Sequence, residues 1–246
     1  MIWATAMFRD EADVAPYVVR HMLDEGLHVL VADNGSVDGT REILDLIAAE
    51  NPRLLVVEDP EVGYYQDRKM TALGQQAAQR GATWIVPFDA DEWWYSPHDR
   101  IADVLEDAPC DVLKAFGWDH RPHRTDDQTD RNPFTRMVWR EPDTQKFPCV
   151  AYRPHPDAWL HMGNHDIDRP GRRMTGLLEY RHFGYRSFQQ MRRKVRQGKQ
   201  AYDATTLPSL HGTHWRVMGA MSDAELAAEW GRLCSLTDLV HDPCPT

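Results

Sequence analysis

No apolar run in the sequence approaches the roughly 18–20 residues that a membrane span requires. The N-terminal stretch Met1–Asp10 lacks the basic and long apolar regions of a signal peptide. Cysteines are few: Cys110, Cys149, Cys234 and Cys244 are scattered and form no Cys-x-x-Cys pair. That pattern argues against a zinc site or a disulfide framework and predicts free thiols in a reducing compartment. Positive charge is in deficit, with 28 Lys and Arg against 38 Asp and Glu, a formal net charge of -10. Stable binding to nucleic acid or to an anionic membrane needs clustered Lys and Arg, so neither is expected. Repeats, low-complexity tracts and linker-like stretches are also missing. The expectation is a soluble, cytoplasmic chain of 246 residues folded as a single domain, 1–246.

What is present is organised around Trp84–Trp94. An apolar run (Trp84, Ile85, Val86, Phe88) ends abruptly in three carboxylates, Asp89, Asp91 and Glu92. Such a run reads as a buried strand of a parallel sheet, and ligands of open α/β sheets bind beyond the carboxyl ends of such strands. Asp89 and Asp91 flank a single residue, Ala90, so a bend there turns both toward one hard cation. A solvated acidic turn is the bland alternative.

Strand and helix alternate up to about residue 92. Strands are predicted at Ile2–Met7, His28–Ala32, Leu54–Val57 and Trp84–Phe88. Helices are predicted at Ala12–Glu25, from Asp38-Gly39-Thr40 onward, and at Arg68–Arg80, with Gly26 and Gly81 as C-terminal stops. This alternation calls for a mostly parallel sheet with right-handed crossovers. Beyond Trp94 the reading is a short helix over Ser96–Leu105, strands at Asp111–Phe116, Phe134–Trp139, Lys146–Arg153 and Leu177–Phe183, and a long loop over His120–Asn132. A basic helix follows at Ser187–Tyr202, carrying Arg192, Arg193, Lys194, Arg196 and Lys199, and a capping box at Ser222–Glu225 opens the last helix.

With these pieces placed, the first 95 residues resemble the inverting family 2 glycosyltransferases of the GT-A, Rossmann-like fold. Asp33-Asn34-Gly35-Ser36-Val37-Asp38-Gly39-Thr40 is similar to that family's D-D-G-S-x-D-G-T, and Asp89-Ala90-Asp91 to its D-x-D. Gln66-Asp67-Arg68-Lys69, Glu11, and Arg181–Ser187 followed by Lys194 resemble a bacterial and phage branch. The resemblance implies a glycosyltransferase, of hexosyltransferase type, that uses Mn²⁺ or Mg²⁺ and a UDP- or GDP-sugar donor. Residues 1–95 are then the nucleotide-sugar half, and 96–246 the acceptor half that completes the metal site. The acceptor expected is a hydroxyl on a protein, a glycoside or a modified nucleic acid.

The resemblance also assigns residues. Glu11, Asp33, Asn34, Gly35, Lys69, Asp89 and Arg186 are expected around the donor, with Asp89, Asp91 and a late histidine, His182, on the metal. Arg68 from the same helix, and the basic helix 192–199, are further candidates for the diphosphate or an anionic acceptor. Asn34 stands where the family usually has Asp; its amide donates as well as accepts, leaving uridine and guanosine both open. His165 and His214 are the other histidine candidates. Inversion needs a general base, and no Glu-Asp pair stands mid-chain; Asp119, Asp157, Asp166 and His165 are candidates, and without a base a retaining reaction is the alternative. Rival readings are a nucleotidyltransferase with the same D-x-D site, a non-catalytic sugar- or nucleotide-binding module, and a metallophosphoesterase suggested by Gly163-Asn164-His165-Asp166. For plain structural roles, Ser36 and Asp38 serve as helix caps.

Overall fold

In a computed structural model, residues 1–244 are described. The chain begins with β1 (Ile2–Phe8), α1 (Ala15–Asp24), β2 (His28–Asp33), α2 (Thr40–Glu50), β3 (Leu54–Glu58), α3 (Gln66–Gln79) and β4 (Trp84–Pro87). There follow β5 (Glu92–Tyr95), α4 (Ile101–Asp107), β6 (Val112–Asp119), α5 (Pro133–Arg136), β7 (Trp139–Arg140) and β8 (Cys149–Tyr152). Next come β9 (Trp159–Leu160), a turn of 3₁₀ helix at Met162–Asn164, β10 (Ile167–Asp168) and β11 (Arg173–His182). The chain closes with α6 (Phe188–Asp203), α7 (Thr213–Ala220), α8 (Asp223–Leu233) and β12 (Val240–His241).

Eight strands form one sheet in the order β3-β2-β1-β4-β8-β6-β11-β5. The first four run parallel, which is why their segments read as unbroken apolar runs: helices cover both faces. β8 enters antiparallel between β4 and β6, and β11 runs parallel to β6 but antiparallel to β5. The main core lies around β1, β4 and β11, where Phe8, Trp84, Phe88, Trp94, Tyr180 and Phe183 are fully buried. β1, β2, β4, β6 and β11 all end toward the same rim. Backbone bonds fasten that rim: His120 N–H donates to His182 O (2.8 Å), and Phe183 N–H to Asp91 O (2.8 Å).

Several elements depart from the sequence reading. Phe134–Trp139 is not one strand: Asn132 Oδ1 accepts from Phe134 N–H (3.1 Å) and caps the single helical turn α5, leaving a two-residue strand, β7. Ser96–Leu105 starts late, at Ile101, where Arg100 is extended and the Ile101 N–H donates to Glu25 Oε2 (2.7 Å). β5 and α7 were not anticipated. β5 is set by long-range pairing, Trp94 opposite Tyr180 and Glu92 opposite His182. The capping box at Ser222 is present, and the four cysteines are free. Among the described residues no helix is long and apolar enough to cross a membrane.

Candidate active site

The loops after β1 and β2 are fastened to each other. Asp10 takes a left-handed backbone (φ 55°) that a short polar side chain tolerates. Its N–H donates to Ser36 Oγ (3.0 Å) and its Oδ1 accepts from Val37 N–H (2.6 Å). Glu11 N–H donates to Thr40 Oγ1 (2.8 Å) and Ala12 N–H to Asp38 Oδ2 (3.2 Å). Ser36, Asp38 and Thr40 therefore spend their side chains on the neighbouring loop, which turns Glu11 inward.

A cavity of about 490 Å³ opens over the carboxyl ends of the strands. Met7, Asn34, Asp89, Asp91, Asp119 and His182 line it from the sheet, and Lys194, Gln197, Gly198 and Ala201 from α6. That last set has the i, i+3, i+4, i+7 spacing of one helical face. Tyr64, Tyr185, Tyr202, His214 and Trp215 complete the wall. Gly198 is required by close approach, since a Cβ there would lie 2.6 Å from the Trp215 ring.

Asp91 is buried among three cations. Lys194 Nζ pairs with its Oδ2, His182 Nε2 lies at 3.5 Å and the Arg186 guanidinium at 3.7 Å. Burial opposes ionisation, but Lys194 and His182 hold this carboxyl well below its ordinary range. Asp89 accepts from Gln66 Nε2 (3.2 Å) and Asn164 Nδ2 (3.3 Å), and burial together with Asp91 raises it to about 6. Beneath them Glu92 accepts from Asp89 N–H (3.1 Å) and Trp94 Nε1 (2.9 Å), and burial lifts it to about 8.

His182 is held by register: β11 places it opposite Asp119 on one side and Glu92 on the other. Its Nδ1 bonds Asp119 Oδ1 (2.6 Å) and its Nε2 faces Asp91. Burial works against the charged ring, yet Asp91 and Asp119 raise it to about 10. Asp119 also takes Gln145 Nε2 (2.8 Å) and Arg121 (3.2 Å). Burial raises its pKa, but the His182 bond outweighs that and keeps Asp119 strongly acidic.

Comparison with known proteins adds identity to this geometry. The sequence model of glycosyl transferase family 2 matches residues 7–163, which is more than half of the chain. The chain belongs to glycosyl transferase family 2. An 82-residue segment, 32% of the chain, is 34% identical to the succinoglycan biosynthesis protein ExoA of Rhizobium meliloti (strain 1021), spanning only 23% of that protein. Among solved structures it is similar to the mannosyltransferase PcManGT from Pyrobaculum calidifontis in complex with GDP-Man and Mn²⁺. That pair is 13% identical, with 94% of this chain and 73% of that chain covered and a TM-score of 0.45. HddC from Yersinia pseudotuberculosis is 10% identical over 71% of this chain and 89% of its own, with a TM-score of 0.39.

The structure brings some of the expected residues together and parts others. Glu11, Asn34, Asp89, Asp91, Asp119, His182 and His214 line the cavity, and fully buried Arg186 stands behind Asp91. Asn34 Nδ2 is spent on Asp59 O (3.0 Å), Asp59 Oδ2 (2.9 Å) and Glu61 O (2.7 Å), so only its Oδ1 is left for a ligand. Asp33 is buried at the end of β2, its Oδ1 without a donor among the described residues, and Gly35 (φ 71°) makes the turn after it.

Lys69 lies outside the wall, paired with Asp59 (2.6 Å), and Arg68 pairs with exposed Glu61. Asp166 is held by Lys114 (3.0 Å) and Arg173 (2.6 Å), His165 packs on Phe147, and Asp157 is exposed beside His155. The arginines of α6 are mostly engaged: Arg192 and Arg196 with Asp223, Arg193 with Asp38. Gly163-Asn164-His165-Asp166 contributes Asn164 as a donor to Asp89. Gln66, Gln145, Arg121 and the aromatic wall were not among the expected site residues, although Gln66 lies in the Gln66–Lys69 stretch and Tyr185 in Arg181–Ser187.

A divalent cation is what the fold family implies. Among the described residues no three His, Cys, Asp or Glu side chains converge as a ready-made metal site. The chemistry of Asp89, Asp91 and His182 nevertheless fits a hard ion, with two carboxylates and an imidazole whose other nitrogen is fixed by a carboxylate.

Proposed function

We propose that this glycosyltransferase moves a hexosyl group, with inversion, from a UDP- or GDP-sugar to a hydroxyl-bearing acceptor. The reading rests above all on one observation: Asp91, Asp89 and an Asp119-oriented His182 meet in the wall of a cavity that also reaches Asn34 at the end of β2. Asp89, Asp91 and His182 would hold Mn²⁺ or Mg²⁺, which supplies neutralisation of the charge on the departing nucleoside diphosphate. Asn34 and Asp33 stand at the nucleoside end and accept from donor groups of the base and ribose. Arg186 contributes a fixed positive potential behind Asp91, and Lys194 adds a positive charge in the cavity wall. The acceptor oxygen attacks the anomeric carbon as its bond to the diphosphate breaks, and the hydroxyl proton passes to a base.

Asp119 faces the cavity, but both its oxygens are engaged and it is too acidic to take that proton well, so its role is to orient His182. The aromatic wall of Tyr64, Tyr185, Tyr202 and Trp215 suits an acceptor with an apolar face, such as a glycoside. Residues 1–95 then serve the donor, and the remainder completes the cation site and shapes the acceptor side within one domain.

The test is a thermal-shift panel of UDP, GDP, CDP, ADP and dTDP, each with Mn²⁺ or with chelator. At about 100-fold excess over Kd a ligand of the native state stabilises by about 2.7 kcal/mol. For a chain of this size that is a rise of roughly 5–11 °C. The reading expects such a rise with UDP or GDP in Mn²⁺ alone, lost in Asp91→Asn. No shift with any nucleotide under either condition would favour a non-catalytic module.

A further inference from the structure

Asp91 carries two cations of different mobility. Arg186 has no exposed side-chain surface and donates to Asp13 Oδ2 (2.8 Å), Asp13 Oδ1 (2.9 Å), Phe183 O (3.1 Å) and Glu11. A planar fork held at every arm cannot leave without breaking buried bonds. Lys194 differs. It meets Asp91 Oδ2 and lies 3.5 Å from Glu11 Oε1, its side chain is 22% exposed, and it stands on the cavity face of α6. It ends in a point charge on a flexible four-carbon stem, and among the described residues Asp91 is its one hydrogen-bond partner.

We infer that Lys194 is an internal counter-ion of Asp91 which the divalent cation must displace, and which then binds the donor's diphosphate. This rests on the cation and donor site proposed above. A dication approaching Asp91 meets Lys194 and Arg186 already there, and like charge opposes its entry. Only Lys194 is free to swing away, and the diphosphate offers it a new anionic partner lining the same cavity. Cation and nucleotide therefore bind cooperatively, each helping the other by the same factor. The arrangement disfavours loading of the site by metal in the absence of donor, and it makes Lys194 a positioning residue for the leaving group.

The full chain, its Lys194→Met variant and its Lys194→Arg variant would be titrated with Mn²⁺ alone, following free Mn²⁺ by electron paramagnetic resonance. The titrations are then repeated with saturating GDP or UDP. In the wild type the nucleotide is expected to tighten Mn²⁺ binding within the range of about 5–150-fold typical of coupled sites. In Lys194→Met, Mn²⁺ binds at least several-fold tighter without nucleotide, nucleotide binds more weakly, and the coupling factor falls below that of the wild type. Lys194→Arg keeps the charge and keeps Mn²⁺ binding weak without nucleotide. Unchanged or weaker binding of Mn²⁺ alone by folded Lys194→Met overturns the inference. A wild type that binds neither Mn²⁺ nor nucleotide instead overturns the function on which it rests.

Discussion

Replacing Arg186 by Met tests the electrostatic core of the site without reference to any ligand. The guanidinium serves Glu11, Asp13 and Phe183 O from a position with no exposed side-chain surface, and stands 3.7 Å from Asp91. Asp13, with 36% of its side chain exposed, rehydrates once its partner is gone. Glu11 and Asp91, at 12% and 4%, cannot. Removing one member of a buried pair costs about 3–5 kcal/mol, because the other charge is stranded. At about 2–4 °C per kcal/mol for a chain of this length, the melting temperature should fall by roughly 6–20 °C. Scanning calorimetry or urea titration reads it directly. If stranded charge is the cause, adding Glu11→Gln and Asp13→Asn to Arg186→Met recovers part of the loss, whereas a packing defect would deepen. A fall of less than about 3 °C, outside the calculated range, would refute the reasoning.

Asp119→Asn leaves an acceptor for His182 but removes the charge that fixes the ring. Mn²⁺-dependent nucleotide binding is expected to weaken about 10–100-fold, the usual effect of losing a partner behind a metal-binding histidine. Unchanged binding with transfer abolished would make Asp119 the base instead. His120 provides a test in acid. Burial depresses it to about 4, while its Nδ1 donates to Met137 O (2.7 Å) and the ring stacks on Phe183. Because the folded value lies below the unfolded 6.5, the unfolded chain binds the extra proton. His120 therefore destabilises the fold progressively from pH 6.5 down to 4, by about 3 kcal/mol at the lower limit. His120→Phe should flatten the stability–pH curve in that window, measured by urea denaturation, and an unaltered slope would remove His120 as the cause.

The parallel half of the fold was legible because its evidence is local. Buried strands write continuous apolar runs, and the carboxylates after Phe88 mark where one ends at the rim. Asp89, Asp91 and His182 were readable for the same reason, each standing at or just beyond a strand end. The other half depends on pairing across long separations. β5 looks like a loop until β11 lies beside it, and α5 is decided by the Asn132 cap rather than by the apolar residues after it. The basic helix misled in a similar way. Its arginines suggest an anion-binding stripe, but Asp38 and Asp223, far away in sequence, take them up, and only Lys194 reaches the cavity. The motif after β2 held two jobs at once, and its pattern could not show that Ser36, Asp38 and Thr40 brace a neighbouring loop while Asn34 faces the ligand space.

The pairing of β11 with β6 has a break in it. Thr175 lies opposite Lys114 and Glu179 opposite Phe116, so three residues of one strand face a single residue of the other. Two of the three are surplus, and an even surplus keeps the alternation of faces in phase. Below the break the strand is registered from its own start; above it, Glu179 to His182 are registered from Phe116 to Asp119. The slack uncouples the two ends. A shift in how Arg173–Thr175 pair can be taken up there without moving His182 off Asp119, so the lower half of the strand is free to adjust while the rim keeps its register.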